Sequence, residues 1–129
     1  MKTRQKEVVD EIRRMCGEAK PVLSLGWRFK YNGRGYLYFA GNDESMMRFC
    51  NPVATVSMAP CKRRLREAAD AVNRNVRFIK ALLSKDETTV SLNYDYKMTD
   101  SESARDIVPH IIRTLDFATE YFKKEMNTN

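Results

Sequence analysis

Several residue types are scarce in this chain of 129 residues, and each scarcity removes a class of protein. One histidine and three cysteines without a CxxC pair exclude a zinc ribbon and a disulfide scaffold. Five glycines exclude a collagen-like chain and most phosphate-cradling loops. No apolar run approaches the roughly 18–20 residues of a transmembrane helix, and the charged amino-terminal stretch lacks a signal peptide's apolar region. We therefore expect a single cytoplasmic α+β domain over residues 1–129.

The cysteines are too few and too scattered to indicate a redox or metal centre. Cys16, Cys50 and Cys61 are odd in number and widely spaced, which favours structural thiols in a reducing compartment. A disulfide between Cys50 and Cys61 stays open at this level. A catalytic Cys–His pair would need His110, the one imidazole, and a surface or capped histidine is the better interpretation.

Metal, cofactor and acid–base sites also lack a signal in the sequence. Asp95, Asp100 and Glu102 could together hold a hard cation, but solvated carboxylates on a strand and at a helix cap explain them better. The two glycines of residues 32–35 join two predicted strands, without the following helix that an anion site requires. We expect no catalytic, cofactor-binding or metal-binding residues.

Hydrophobic periodicity predicts the element order α-β-β-β-α-β-β-α. Apolar residues recur at three- and four-residue steps over 3–18, from Pro60 to about Asn75, and after 102, which predicts three helices. Strands are predicted over 22–31, 36–40, 46–50, 76–83 and 88–98. Over residues 76–83, apolar side chains occur at both odd and even positions, which is typical of a central strand that is covered on both faces. The prediction is a five-stranded antiparallel sheet packed by three helices on one face.

Three local features concern where the third strand ends and how the last helix begins and bends. Residues 53–59 could extend the third strand or form a loop, and Asn51-Pro52 is expected to end or bend it. Thr99 and Glu102 have the spacing of a capping box that opens the last helix. Pro109 is expected to bend that helix, because it lacks a backbone N–H.

The length of the loop at residues 32–35 decides which side chains share a face of the first hairpin. An even loop places Tyr36 and Tyr38 beside the apolar Trp27 and Phe29. A three-residue loop instead places Tyr36 and Tyr38 beside Arg28 and Lys30. We favour the three-residue loop, because it gives an apolar inner face and an Arg/Lys/Tyr outer face. Arg28, Lys30, Tyr36 and Tyr38 are thus the candidate partner-contact residues, although a merely solvated sheet face is an equal alternative.

Positive charge is concentrated in one segment of the chain. The formal net charge is +6, and residues 61–85 hold eight basic against two acidic residues, whereas residues 86–129 hold five against nine. The second predicted helix carries the candidate basic patch Lys62, Arg63, Arg64 and Arg66. Such a helix can bind nucleic-acid phosphates, it can pair with an acidic helix of the same chain or of a partner, or it can be a merely solvated face. This polarised distribution favours protein contact over nucleic acid.

The junction between the second helix and the last strands resembles a known family. The segment AVNRNVRFIK at 71–80, then TVSLNYDY at 89–96 and a long terminal helix, resembles YbjN-type bacterial sensory-transduction regulators. The resemblance is best over about 65–126 and implies a fold like that of type III secretion chaperones. It implies a cytoplasmic binding or regulatory module without catalysis. Such chaperones are typically acidic dimers that hold unfolded effector segments, whereas this chain is basic.

The sequence therefore predicts a non-enzymatic protein-binding or regulatory module that needs no cofactor. Self-association into a homodimer is a second expectation, motivated by the charge polarity on a small core. The alternative function is a nucleic-acid-binding module that uses the basic second helix. No membrane partner is expected.

Overall fold

A computed structural model describes residues 3–22, 26–41, 43, 45–55 and 59–127 of the chain. Its helices are α1 (Thr3–Cys16), α2 (Ala59–Asn75) and α3 (Ala104–Asn127). Its strands are β1 (Lys20–Val22), β2 (Gly26–Tyr31), β3 (Arg34–Ala40), β4 (Met46–Thr55), β5 (Lys80–Leu83) and β6 (Thr89–Lys97). The strands form one antiparallel sheet in the order β1-β2-β3-β4-β6-β5.

The predicted α+β class with three helices and an antiparallel sheet is confirmed, but the prediction of five strands is wrong. The additional strand is β1, which begins at Lys20, ahead of the strand predicted over 22–31, and folds back on β2 with Pro21 opposite Trp27. Gly26 begins β2 where a Cβ atom would lie 2.3 Å from the carbonyl oxygen of Tyr38. Only glycine allows so close an approach of the two backbones. The alternation over 22–31 also predicts Leu23 and Leu25 on the apolar face with Trp27 and Phe29, and both lie outside the described residues.

One face of the sheet carries the helices and the core. Helix α1 packs on β2, α2 packs on β5 and β6, and α3 packs on β4 and β6. The helices bury one stripe each, as their periodicity predicts, and the sheet contributes the alternate residues of its strands. Fully buried members of this core include Val8, Ile12, Leu65, Val72, Ile111, Leu115 and Phe122 on the helices and Phe49, Val90 and Leu92 on the sheet.

The predicted face assignment of the first hairpin is wrong. The turn has two residues, Asn32 and Gly33, whose φ values of 52° and 74° fit a tight turn with both residues left-handed. Its even length pairs Phe29 with Tyr36 and Trp27 with Tyr38. Tyr36 and Tyr38 are therefore only 1% and 2% exposed, in the core, and do not lie beside Arg28 and Lys30.

The region after α2 also differs from the prediction. The strand expected over 76–83 shrinks to β5, and β5 lies at an edge of the sheet instead of its centre. Residues 76–79 form a bend in which Phe78 has a φ of 69°. Strand β6 lies inside the sheet, between β4 and β5. The alternation over 88–98 predicts an inward set of Val90, Leu92, Tyr94, Tyr96 and Met98, of which Tyr96 is half-buried and the other four are buried.

Two open boundaries are settled by the structure. Strand β4 continues through Pro52 to Thr55, with a register shift between Pro52 and Ala54, while residues 56–58 lie outside the described residues. The prediction that Thr99 and Glu102 open the last helix as a capping box is wrong. The Thr99 N–H donates to the Glu102 carboxylate at 2.8 Å, but the Glu102 N–H donates to the Thr99 carbonyl and closes a turn before α3. Helix α3 begins at Ala104 and runs through Pro109.

Candidate interaction surface

The second face of the sheet carries none of the helices among the described residues, and we call it the open face. Strand register places one row of side chains straight across it: Lys20, Arg28, Leu37, Cys50, Asn93 and Lys80. A neighbouring row contains Gly26, Phe39, Arg48 and Asp95, and Met46 and Lys97 pair beyond it. These residues share a face because side chains alternate along each strand.

The centre of the open face is apolar. Leu37 and Phe39 on β3 are half-buried, and Met46 at the start of β4 is 39% exposed. Leu82 is also 39% exposed, but it lies apart from this centre on the edge strand β5. A shallow groove of about 280 Å³ runs between Phe39, Met46 and Arg48. A second groove, of about 390 Å³, lies at the β5 edge beside Leu82. Exposed apolar side chains in such grooves are available to a partner.

The flanks of the open face are cationic. Lys20, Arg28 and Lys30 line one concavity of about 560 Å³ at the β1–β2 edge, where Glu18 pairs with Lys20 at 3.3 Å. Lys97 and Lys80 lie on the opposite side, on β6 and β5. Positive charge therefore lies on both sides of the apolar centre.

One ion pair spans the centre of the open face. The Arg48 guanidinium donates two hydrogen bonds to the Asp95 carboxylate, at 2.6 and 2.8 Å. These bonds lower the pKa of Asp95, and the charge of nearby Lys80 contributes to the same shift. Since Arg48 and Asp95 neutralise each other, the open face keeps a net positive charge from its flanking residues.

The structure divides the four candidate partner-contact residues into two pairs. Arg28 and Lys30 are exposed on the open face, as predicted. Tyr36 and Tyr38 belong to the opposite, helix-covered face. Sequence reasoning did not include Lys97, although the alternation over 88–98 already placed it outward. It also missed Lys20 and Lys80, because the order of the strands decides that they join this face.

The candidate basic patch on α2 is partly neutralised within the chain. Arg63 pairs with Glu67 at 2.9 Å, and Arg66 pairs with Glu87 at 2.8 Å. Lys62 and Arg64 complete the patch on a helix that packs against the covered face of the sheet. Two of its four cations are thus already engaged with carboxylates, which weakens the case for a phosphate-binding helix.

The thiols and the imidazole are not arranged for nucleophilic chemistry. Cys16, Cys50 and Cys61 are free, so the Cys50–Cys61 disulfide is not formed. Burial raises the pKa of Cys16 to about 11 and raises that of Cys50, which keeps both protonated at neutral pH. His110 contacts two aromatic rings, with centroid distances of 6.3 Å to Phe78 and to Tyr94.

The described ranges contain neither a candidate metal site nor a candidate membrane span. No group of three or more histidine, cysteine, aspartate or glutamate residues there could hold a metal ion. No helix in the same part of the chain is long and apolar enough to span a bilayer.

Both edges of the sheet are poorly suited to accept another strand. At the β5 edge, the side-chain amide of Asn73 bonds both backbone groups of Ala81, at 2.7 Å to its N–H and 3.1 Å to its carbonyl. Asn73 thereby occupies two of the backbone groups that an added strand would use. At the other edge, β1 has three residues, and Pro21 among them has no N–H to donate.

Comparison with known proteins identifies the fold but no family. No family model matches the chain, and no curated protein matches its sequence. A chain in the structure of the HopA1–SchA chaperone–effector complex matches with a TM-score of 0.62 and 10% identity, over 97% of this chain and 94% of that chain. The resemblance to YbjN-type proteins therefore stays a prediction.

Two further solved structures have the same fold. One is an uncharacterised protein from Methanothermobacter thermautotrophicus, with a TM-score of 0.63 and 13% identity over 95% of this chain and 96% of that chain. The other is the structure of the Yersinia pestis type III secretion chaperone SycH with a stable fragment of YscM2, with a TM-score of 0.57 and 13% identity over 92% and 99%. At such identities the likeness shows a type III secretion chaperone-like fold and nothing finer.

Proposed function

We propose that this chain is a non-enzymatic protein-binding module and that the open face of its sheet is the binding surface. The observation that carries the proposal is the exposed apolar surface of that face, at Met46 on β4 and at Leu82 on the edge strand β5, although all three helices pack on the other side. An exposed apolar patch with a charged rim is typical of a protein contact site.

The structural neighbours support a binding role. Two of them are described as a chaperone–effector complex and as a chaperone bound to a protein fragment. The fold of this chain is compatible with the same general task of holding another polypeptide. Burial raises the pKa of Cys16 and of Cys50, which argues against either of them as a thiol nucleophile.

Three finer expectations accompany this proposal. They are membership of the YbjN-type regulators, a cytoplasmic location and a homodimer. Light scattering at micromolar concentration and low salt tests the homodimer, and a monomer under those conditions removes it.

Paired variants test the proposed surface. Met46→Thr with Leu82→Thr removes apolar area from the open face, and threonine is well accommodated in strands. Phe117→Gln removes a 62%-exposed ring from the solvent side of α3 and serves as the control. Proteins captured from the native cell by the tagged wild-type chain are identified, purified and titrated against each variant.

The open-face variant is expected to weaken binding of the purified partner at least tenfold, while Phe117→Gln leaves it unchanged. Circular dichroism must show that both variants stay folded. Equal binding by the wild type and the open-face variant would rule out this surface.

A further inference from the structure

Cations of the open face lie on both sides of an apolar strip. Arg28 and Lys30 lie on β2, and Lys97 lies on β6. Between these strands, β3 and β4 present the apolar strip Leu37, Phe39 and Met46, with the neutralised Arg48–Asp95 pair beside Phe39. Charged flanks of one sign around an apolar strip are complementary to a segment with an apolar stripe and acidic borders.

The spacing of the flanks matches the width of a helix. Strands β2 and β6 are three strand steps apart, which at about 4.8 Å a step is about 14 Å. An α-helix with its side chains is about 10–12 Å wide, so it can cover the two strands between the flanks. Arg28 lies in the row of Asn93, and Lys97 lies four residues further along β6, so acidic residues on different turns of the helix would meet the two flanks. Strand β3 has seven residues and is about 23 Å long, which matches a helix of about 16 residues.

Backbone hydrogen bonding also favours a helix over an extended segment. A strand needs a free sheet edge for its N–H and carbonyl groups, and Asn73 occupies those of Ala81 at the β5 edge. Pro21 and the shortness of β1 limit the opposite edge. A helix satisfies its own backbone and can lie on the open face without any edge.

We propose that the open face binds an acidic amphipathic helix of about 16 residues from a partner protein. This inference rests on the proposed function and specifies its partner. The apolar stripe of the helix packs on Leu37, Phe39 and Met46. Its acidic borders pair with Arg28 and Lys30 on one side and with Lys97 on the other.

Four probes test the proposal by fluorescence anisotropy at about 50 and 300 mM salt. The first is a 16-residue helix-forming peptide with a leucine stripe and glutamate on both borders. The second replaces every glutamate by lysine, and the third keeps the glutamates but replaces the leucines by glutamine. The fourth is a 15-nucleotide single-stranded oligothymidine, which represents nucleic acid as the competing occupant.

Charge reversal on the protein provides the matched comparison. Arg28→Glu with Lys30→Glu changes the flank of the open face. Lys62→Glu with Arg64→Glu makes the same change in net charge on α2 and is the control. The acidic amphipathic peptide is expected to bind at least tenfold more tightly than the other two peptides. Its binding is expected to fall at least tenfold with the flank variant and with added salt, but not with the α2 control.

Each other outcome overturns the inference in a recognisable way. Equal binding of the acidic and basic peptides removes the charge preference, yet leaves the open face as a binding surface. Tighter, flank-dependent binding of the oligonucleotide assigns the face to nucleic acid. If no peptide binds, the inference fails. The proposed function is then tested separately, by the binding of the purified natural partner to the Met46→Thr, Leu82→Thr variant.

Discussion

Tyr36 on β3 donates a 2.5 Å hydrogen bond to the carboxylate of Asp116 on α3, eighty residues further along the chain. Asn32 and Arg34 of the same hairpin donate to that carboxylate at 2.9 and 2.8 Å. Burial raises the pKa of Asp116, but the three hydrogen bonds outweigh it, so the pKa lies below its ordinary value. One carboxylate thus holds the first hairpin against the last helix.

Asp116→Asn is expected to destabilise the fold by about 1–3 kcal/mol at pH 7, because it weakens three hydrogen bonds to a buried acceptor. The lowered pKa means that the carboxylate stabilises the fold above the ordinary value of about 3.9. This contribution is lost as the pH falls through the lower pKa of the folded state. The difference between wild type and variant should therefore narrow below about pH 4.

Urea unfolding at several pH values measures this difference. The control is Asp70→Asn, which removes only an exposed pair with Arg74 and should cost less than about 0.5 kcal/mol. A penalty for Asp116→Asn that stays constant down to pH 2 would contradict the assignment.

Asn73→Ala is expected to open the β5 edge. The variant loses both hydrogen bonds to Ala81, which costs about 1–3 kcal/mol and leaves an N–H and a carbonyl unpaired. The Ala81 amide should then exchange hydrogen faster, and the protein should associate at high concentration through the exposed edge. Hydrogen exchange with light scattering measures both effects.

Asn75→Ala is the matched control, because it loses only a 2.8 Å bond to the hydroxyl of Tyr121 at the surface. Its Ala81 exchange rate should equal that of the wild type. If Asn73→Ala exchanges no faster than this control, Asn73 does not protect the edge.

Phe78→Gly is expected to change stability by no more than about 1 kcal/mol. Phe78 is 67% exposed and has a φ of 69°, a conformation that costs a bulky residue about 1–3 kcal/mol. Glycine relieves that strain but loses the stacking of the ring on Tyr94, which is worth about 0.5–1.5 kcal/mol. Thermal unfolding measures the balance.

Phe122→Ala, at a buried position, is the positive control, which shows that thermal unfolding responds to the loss of an aromatic ring. It should cost about 3–5 kcal/mol, because it leaves a cavity in the core. A comparable loss for Phe78→Gly would mean that the exposed ring is a structural anchor.

Cys16 is expected to react slowly with iodoacetamide. Its pKa is raised by burial from 9.0 to about 11, so at pH 8 its thiolate fraction, and with it the rate, falls about a hundredfold below that of an ordinary thiol. The rate should still rise as the pH increases towards 11. Mass spectrometry of alkylated peptides measures it, with a short unstructured cysteine peptide as the reference. A rate equal to that of the reference peptide is the contrary result.

Local periodicity predicts most of the elements because it depends only on neighbouring residues. The apolar stripes of α1 and α2 and the alternation of β6 are visible in the sequence, and their bounds agree within about two residues. The face of the first hairpin is different. The hydroxyls of Tyr36 and Tyr38 argue for placing both side chains on the solvent-facing side of the sheet. The partner that makes a buried position favourable for Tyr36 is Asp116, which is distant in sequence. The Asn32-Gly33 pair was the local signal for a two-residue turn.

The open face could be predicted only in part. Arg28 and Lys30 follow from alternation within one strand. Lys80 joins them because β6 lies between β4 and β5, and this order depends on long-range pairing. The bend at Phe78 shortened β5, and the sequence carries no signal for a phenylalanine with positive φ.

The two-residue turn at Asn32 and Gly33 restricts the insertions and deletions that the hairpin can accept during evolution. Inserting one residue there reverses every side chain of β3 relative to β2, which exposes two tyrosines and buries Leu37 and Phe39. Inserting two residues preserves the pattern. Descendants of this sequence should therefore gain or lose residues at this turn in even numbers.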